Sequence, residues 1–140
     1  MPCILDRAMT RYPIDPQHLM LLGFSQGGVL AYTLALQTPA RFTALAALST
    51  WLSAALQARV PALATQPFPP TLVHHGTWDQ RSEVARARRS VDAFRTAHLP
   101  ITYQEYDMDH EITRQSLADL STWIAAQVCT PTPAQPPSGQ

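Results

Sequence analysis

Four short apolar stretches, separated by longer polar or amphipathic segments, are the feature that most limits what this chain can fold into. Residues 19–24 and Ala44–Leu48 contain almost no polar side chains, a pattern typical of strands that helices cover on both faces. Residues 71–73 and 101–108 predict two further strands. Strands that alternate with helices along a chain usually form a parallel sheet, so the sequence predicts the α/β class.

Three long helices are predicted between and after these strands, and residues 53–70 predict a short helix and a loop that bridge two strands. The first is Gln26–Gln37, which ends before a Thr-Pro pair because a proline disfavours helical backbone in the residue that precedes it. The second spans residues 82–97 and the third spans residues 111–128. The third is expected to pack through one apolar face, formed by Ile112, Leu117, Leu120, Trp123 and Ile124.

The size and charge of the chain exclude several classes of protein. Its 140 residues fit one domain, and a hydrophobic fraction of 46% is enough for a buried core. Ten basic and ten acidic residues give a net charge of zero, which offers no electrostatic basis for binding nucleic acid. The longest uncharged run, residues 42–58, is shorter than the roughly 20 residues that span a bilayer. We therefore expect a globular protein with no membrane span.

The two ends of the chain favour a cytoplasmic protein with a disordered tail. Charged residues interrupt the first apolar stretch, so no secretion signal is predicted. The two cysteines, Cys3 and Cys129, are too few for a disulfide scaffold, and free thiols in a reducing compartment are expected. Residues 130–140 are rich in proline and offer little to bury, so we expect them to be disordered.

Five consecutive residues, Gly23-Phe24-Ser25-Gln26-Gly27, form a GxSxG motif between a predicted strand and a predicted helix. This is the context of a nucleophile elbow, a strained turn that projects a serine hydroxyl from the end of a strand. Side chains two residues before and two after the serine are expected to collide with the neighbouring strand and helix, which explains both glycines. The alternative is an ordinary tight turn with a capping serine.

An aspartate and a histidine follow this serine in the order that such a site needs. A serine hydroxyl needs a general base, and the base needs a carboxylate that holds its tautomer and stabilises its charged form. Asp79 comes soon after the third predicted strand and His110 soon after the fourth. Ser25, Asp79 and His110 are therefore expected to meet at one edge of the sheet. The alternatives are a turn residue for Asp79 and a surface histidine for His110.

Two adjacent histidines, His74 and His75, raise the question of a metal site. Neighbouring residues on a strand point to opposite faces, so the two imidazoles cannot easily bind one ion. We expect no metal and no cofactor.

Four stretches of the sequence resemble the phospholipase/carboxylesterase family of α/β-hydrolases, which includes the acyl-protein thioesterases. They are GFSQGGVLAY, RFTALAALSTWL, VHHGTWD and YDMDHEI, and the resemblance covers about residues 3–127. It implies Ser25 as the nucleophile, Asp79 as the orienting acid and His110 as the general base. It also implies that the backbone N–H of Gln26 is one of the two donors to the oxyanion.

The sequence departs from this family in three respects. Asp109 stands where the family usually has glycine. The family also usually has a Val-Pro pair soon after the orienting acid, where this chain has Arg81-Ser82-Glu83 after Asp79. Family members also begin with several strands and a Leu-His-Gly type loop that supplies the second oxyanion donor, and this chain has no match for them. The resemblance therefore implies an N-terminally truncated, partial α/β-hydrolase catalytic domain in residues 1–129.

The main functional hypothesis is a serine carboxylic ester hydrolase that acts by acyl transfer on short to medium acyl esters or thioesters. Phe24, Trp51, Leu52 and Trp78 lie at or just after strand ends and are candidates for an acyl pocket, with core packing as the alternative. The second hypothesis is a non-catalytic fragment. In that case residues 19–24 would form an exposed sheet edge through which the chain associates with a partner or dimerises.

Overall fold

The computed structural model describes residues 3–129, which form a sheet of four parallel strands. The strands are β1 (Met20–Phe24), β2 (Ala44–Leu48), β3 (Thr71–Gly76) and β4 (Ile101–Tyr106). They lie in the sheet in chain order, and each neighbouring pair is parallel. The predicted α/β class is confirmed. The predicted disordered tail, residues 130–140, lies outside the described residues.

Five α-helices lie in residues 3–129. They are α1 (Ile4–Arg11) before β1, α2 (Gln26–Gln37) between β1 and β2, α3 (Ala54–Gln57) between β2 and β3, α4 (Val84–Thr96) between β3 and β4, and α5 (Arg114–Cys129) after β4. Helix α1 was not predicted from the sequence, and none of its residues is buried. In this part of the chain no helix combines the length and apolarity that crossing a membrane requires.

The sheet separates two apolar cores because successive strand residues point to opposite faces. The larger core packs α2, α3 and α4 against one face, which includes Leu45, Ala47 and Val73. The smaller core packs α5 against the other face through Leu120. With both faces covered, the loops at the carboxyl ends of the strands are left to form a site.

The start of α5 corrects the predicted packing face. The backbone N–H groups of Thr113 and Ser116 each bond to the other residue's hydroxyl, so the helix begins at Arg114 and Ile112 lies before it. Ile112 is 45% exposed and Leu117 is 52% exposed, so neither belongs to the packing face. The face that packs on the sheet contains Leu120, Trp123 and Ile124, as predicted.

Candidate active site

Ser25 lies between β1 and α2 in a strained backbone conformation. Its φ of 56° and ψ of −122° fall in a region that side-chain-bearing residues rarely adopt. The Ser25 N–H donates to the carbonyl of Leu48 at 2.9 Å, and the Thr50 hydroxyl donates to the Ser25 carbonyl at 2.7 Å. Bonds from both sides therefore hold the serine in the conformation expected of a nucleophile elbow.

The structure confirms the predicted crowding at one glycine of this turn and contradicts it at the other. A Cβ at Gly23 would lie 2.3 Å from the carbonyl oxygen of Gly27, so β1 approaches the start of α2 too closely for any side chain. A Cβ at Gly28 would lie 2.4 Å from Cγ2 of Thr50. A Cβ at Gly27, in contrast, would meet no atom within 4 Å. The prediction of crowding at Gly27 was wrong, because that residue faces solvent at the start of α2 and the crowded position is Gly28.

The structure brings the three predicted polar side chains together. His110 Nε2 lies 2.9 Å from Ser25 Oγ, and His110 Nδ1 lies 2.8 Å from Asp79 Oδ2. Because an ionised carboxylate only accepts hydrogen bonds, Nδ1 carries the proton and Nε2 is left to accept the proton of the serine hydroxyl. The histidine side chain is 12% exposed and the aspartate side chain is fully buried. This arrangement can move a proton from Ser25 to His110.

Asp79 is held by backbone donors from the loop that follows it. Its Oδ1 accepts the N–H groups of Ser82 at 2.7 Å and Arg81 at 2.9 Å. Burial acts to raise the pKa of Asp79, but the hydrogen bonds from Ser82, His110 and Arg81 outweigh it and leave this pKa below its usual value. The buried carboxylate is therefore ionised at neutral pH.

A buried histidine behind the aspartate was not assigned to the site by sequence reasoning. His75 Nε2 donates to the carbonyl of Ser82 at 2.7 Å and lies 3.5 Å from Asp79 Oδ2. His75 therefore fixes the loop that supplies two donors to Asp79. The one available signal was a pair of histidines in an otherwise apolar strand.

The preceding histidine, His74, points to the opposite face of β3, as predicted. Its Nε2 lies 3.3 Å from the hydroxyl of Tyr106, whose O–H donates to Asp119 at 2.8 Å. Desolvation lowers the pKa of His74. Residues 3–129 contain no group of three histidine, cysteine or acidic side chains that could hold a metal ion.

The four pocket candidates have different surroundings. Phe24 packs on His110 with ring centroids 4.9 Å apart, and the guanidinium of Arg86 lies 3.9 Å from the ring centroid of Trp51. Leu52 is buried in the larger core. Trp78 is about half exposed and donates its indole N–H to Asp107 at 2.9 Å. Phe24 is therefore the candidate whose ring contacts His110.

Gln26 is the first residue of α2. The N–H of a first helical residue has no acceptor within its own helix and lies at the positive end of the helix dipole. Because Gln26 directly follows Ser25, this N–H is available to an anionic atom bonded to the serine oxygen.

Three solved structures resemble this chain in fold. Esterase PE8 matches with a TM-score of 0.72 and 20% identity, over 86% of this chain and 55% of that protein. Acyl-protein thioesterase 2 of Zea mays matches with a TM-score of 0.72 and 21% identity, over 87% and 62%. S-formylglutathione hydrolase (FrmB) from Staphylococcus aureus matches with a TM-score of 0.73 and 16% identity, over 89% and 57%. The sheet is therefore part of an α/β-hydrolase fold, and the chain spans 55% to 62% of the length of these proteins.

A family comparison agrees with the structural one. The model of the Phospholipase/Carboxylesterase family matches residues 4–128 of this chain. The matched range contains all four strands as well as Ser25, Asp79 and His110. The resemblance inferred from the sequence is confirmed, and the chain belongs to the phospholipase/carboxylesterase family.

Proposed function

We propose that this protein is a serine hydrolase of carboxylic esters that works by acyl transfer. Ser25 Oγ attacks the ester carbonyl while His110 Nε2 takes the hydroxyl proton and then gives it to the leaving group. Water, activated by the same imidazole, releases the acyl group as a carboxylic acid. The observation that carries the proposal is the continuous set of hydrogen bonds from Ser25 through His110 to Asp79, at 2.9 and 2.8 Å.

The role proposed for Asp79 is to orient His110 and to stabilise its charged form. This role needs a carboxylate that is ionised at neutral pH, and the lowered pKa of Asp79 supports it. Full burial of the side chain also supports it, because the charge then acts on the imidazole with little screening by water.

The Gln26 N–H is the proposed oxyanion donor. The family resemblance assigns the second donor to a loop that has no match in these residues. Loss of one such donor typically lowers turnover by about 10² to 10³. We therefore propose that residues 1–140, with this one donor, hydrolyse esters slowly.

The proposed substrates are esters or thioesters with a short to medium acyl group. Two of the similar structures are named as an esterase and an acyl-protein thioesterase, which supports both kinds of leaving atom. Phe24, Trp51 and Trp78 are the proposed apolar lining, with Leu52 behind them in the core. The proposed chemistry needs no cofactor or metal ion, since His110, oriented by Asp79, activates Ser25.

A fluorophosphonate probe tests the assignment of the nucleophile. Such a probe bonds only to an activated serine, so peptide mapping should find the label on Ser25. Ser25→Ala and His110→Gln should both abolish labelling, while Ser121→Ala, which changes an exposed serine of α5, should leave it unchanged. Labelling at another serine, or persistence of the label in Ser25→Ala, would show that the assignment is wrong.

We also propose that two copies of the chain associate through β1. This strand is at the edge of the sheet, so no other strand within residues 3–129 pairs with one side of its backbone, and its Leu22 is 54% exposed. A two-fold axis would pair the two copies of β1 antiparallel. Light scattering should give twice the monomer mass, and Leu22→Lys should give the monomer; a wild-type monomer would disprove the association. The comparisons do not favour the non-catalytic alternative.

A cytoplasmic location remains our proposal. Its support is that both cysteines, Cys3 and Cys129, are exposed free thiols, which a reducing compartment preserves.

A further inference from the structure

One carboxylate oxygen accepts hydrogen bonds from both of the loops that carry Asp79 and His110. Oδ1 of Asp109 accepts the backbone N–H of His110 at 2.8 Å and the backbone N–H of Gln80 at 2.8 Å. Gln80 directly follows Asp79 in the chain. A single side chain therefore bonds to the histidine itself and to the neighbour of the aspartate.

This bridge lies beyond the end of the pairing between β3 and β4, the strands that lead into the two loops. Pairing between β3 and β4 ends at Gly76 and Tyr106. Beyond that point the bond from Thr77 N–H to the Tyr106 carbonyl, at 2.9 Å, still continues the ladder, and the contact from Trp78 N–H to the Met108 carbonyl lengthens to 3.4 Å. The Trp78 indole N–H also donates to Asp107 across these loops, at 2.9 Å. The two 2.8 Å bonds of the Asp109 carboxylate are made by His110 itself and by the residue next to Asp79.

We propose that Asp109 is a positioning residue that acts through His110, an inference that rests on the proposed function. Its carboxylate fixes the backbone on both sides of the Asp79–His110 hydrogen bond and so keeps His110 Nε2 within reach of Ser25.

Asp109→Ala removes the bridge, and Asp109→Asn keeps an Oδ1 acceptor while removing the charge. The rate of fluorophosphonate labelling at Ser25 should fall by about 10- to 100-fold in Asp109→Ala, because displacement of a reacting group by a fraction of an ångström to 1 Å has effects of this size. Asp109→Asn should stay within about threefold of the wild type. Hydrolysis of p-nitrophenyl butyrate should show the loss in kcat, with KM unchanged.

A proton NMR signal gives a second measure that does not depend on turnover. The His110 Nδ1–H proton, bonded to the buried Asp79, should resonate far downfield in the wild type and in Asp109→Asn, and should broaden or shift upfield in Asp109→Ala. Asp92→Ala, which removes an exposed carboxylate from α4, is the control and should change neither measure. If Asp109→Ala does not fold, Asp109→Ser replaces it, because a serine hydroxyl is too short to reach both N–H groups.

The outcomes separate this inference from the proposed function. A wild-type protein that is labelled at Ser25, with Asp109→Ala labelled equally fast, overturns the positioning role and leaves the function intact. Equal losses of labelling rate in Asp109→Ala and Asp109→Asn also overturn the inference. They would show that the rate depends on the negative charge of Asp109 and not on its hydrogen bonds to the two N–H groups. A wild-type protein that is not labelled at Ser25 overturns the proposed function and this inference with it.

Discussion

The hydroxyl of Thr50 donates a 2.7 Å hydrogen bond to the carbonyl oxygen of Ser25, across the ends of the first two strands. The same carbonyl also accepts the N–H groups of Gly28 at 3.0 Å and Val29 at 3.3 Å. Three donors thus converge on the residue with the strained backbone. The Thr50 bond is the only one of the three that comes from outside the helix that follows Ser25.

Thr50→Val should destabilise the protein by about 0.5 to 1.5 kcal/mol, the usual net value of one hydrogen bond. The substitution keeps the size and branching of the side chain, so the change reports the lost bond. Urea denaturation measures it, and the labelling rate of Ser25 should fall in parallel because the elbow loses a support. Thr50→Ser, which keeps the hydroxyl, should retain more of the labelling rate than Thr50→Val; the reverse order would contradict this role.

Alanine at the two adjacent glycines should have opposite effects. In Gly28→Ala the new methyl group would lie 2.4 Å from Thr50, and overpacking of this kind typically costs about 1 to 3 kcal/mol. In Gly27→Ala the methyl group meets open space in a helix, where alanine is favoured over glycine by roughly 0.5 to 1 kcal/mol. Thermal denaturation of both variants checks the pair, and a stabilised Gly28→Ala would refute the close approach to Thr50.

Ser90→Ala should destabilise the loop after β2. The hydroxyl of Ser90 accepts the Leu52 N–H at 2.8 Å and donates to the carbonyl of Arg86 at 2.9 Å. Alanine would leave a buried N–H without a partner, which costs about 1 to 3 kcal/mol. Ser121→Ala, at an exposed position of α5, should leave the denaturation midpoint unchanged. A midpoint for Ser90→Ala equal to that of the wild type would mean that water replaces the hydroxyl.

At acidic pH, the stability of the folded protein should depend on the ionisation of Glu105. Its carboxylate accepts two bonds from the Arg88 guanidinium, at 2.7 and 2.9 Å, and one from the Tyr103 hydroxyl at 2.7 Å. The Arg88 bond outweighs burial and, with the Tyr103 bond, lowers the pKa of Glu105 to about 2 from its ordinary value of 4.5. Because the folded state favours the ionised form, this contribution is complete above pH 4.5 and is lost as the pH falls towards about 2.

Glu105→Gln tests this pH dependence. Between pH 4.5 and about 2, the melting temperature of the variant should fall less steeply than that of the wild type. Glu83→Gln, which changes an exposed carboxylate beside α4, is the control and should follow the wild type. Parallel curves for Glu105→Gln and the wild type would show that solvent screens the ion pair.

The meeting of Ser25, Asp79 and His110 could be predicted from the sequence because it depends on strand order alone. Each residue follows an apolar stretch, and a parallel sheet gathers the residues that follow its strands. The supporting contacts of Thr50, Ser90 and Asp109 could not be predicted in this way. Each of these contacts is made by a short polar side chain that donates or accepts hydrogen bonds, and such bonds leave no periodic pattern in a sequence.

The structure differs from the sequence-based predictions in two other places, and both differences are local. Crowding at Gly28 in place of Gly27 depends on the position of Thr50, which lies on a different loop. Helix α1 has 8 residues, fewer than the window of about 11 to 18 residues over which helical periodicity is recognised in a sequence. The sequence predicts which side chains the strand ends bring together, while the local contacts that hold those side chains are visible only in the structure.

Because each strand docks beside the one made just before it, the sheet can grow stepwise while the chain is being synthesised. The bonds that hold Ser25 come from Leu48 of β2, from Thr50 just after it and from the start of α2, whereas His110 follows β4. A ribosome-bound intermediate would therefore carry an inert serine. Under the proposed mechanism, Ser25 has no general base until β4 has joined the sheet and brought His110 beside it.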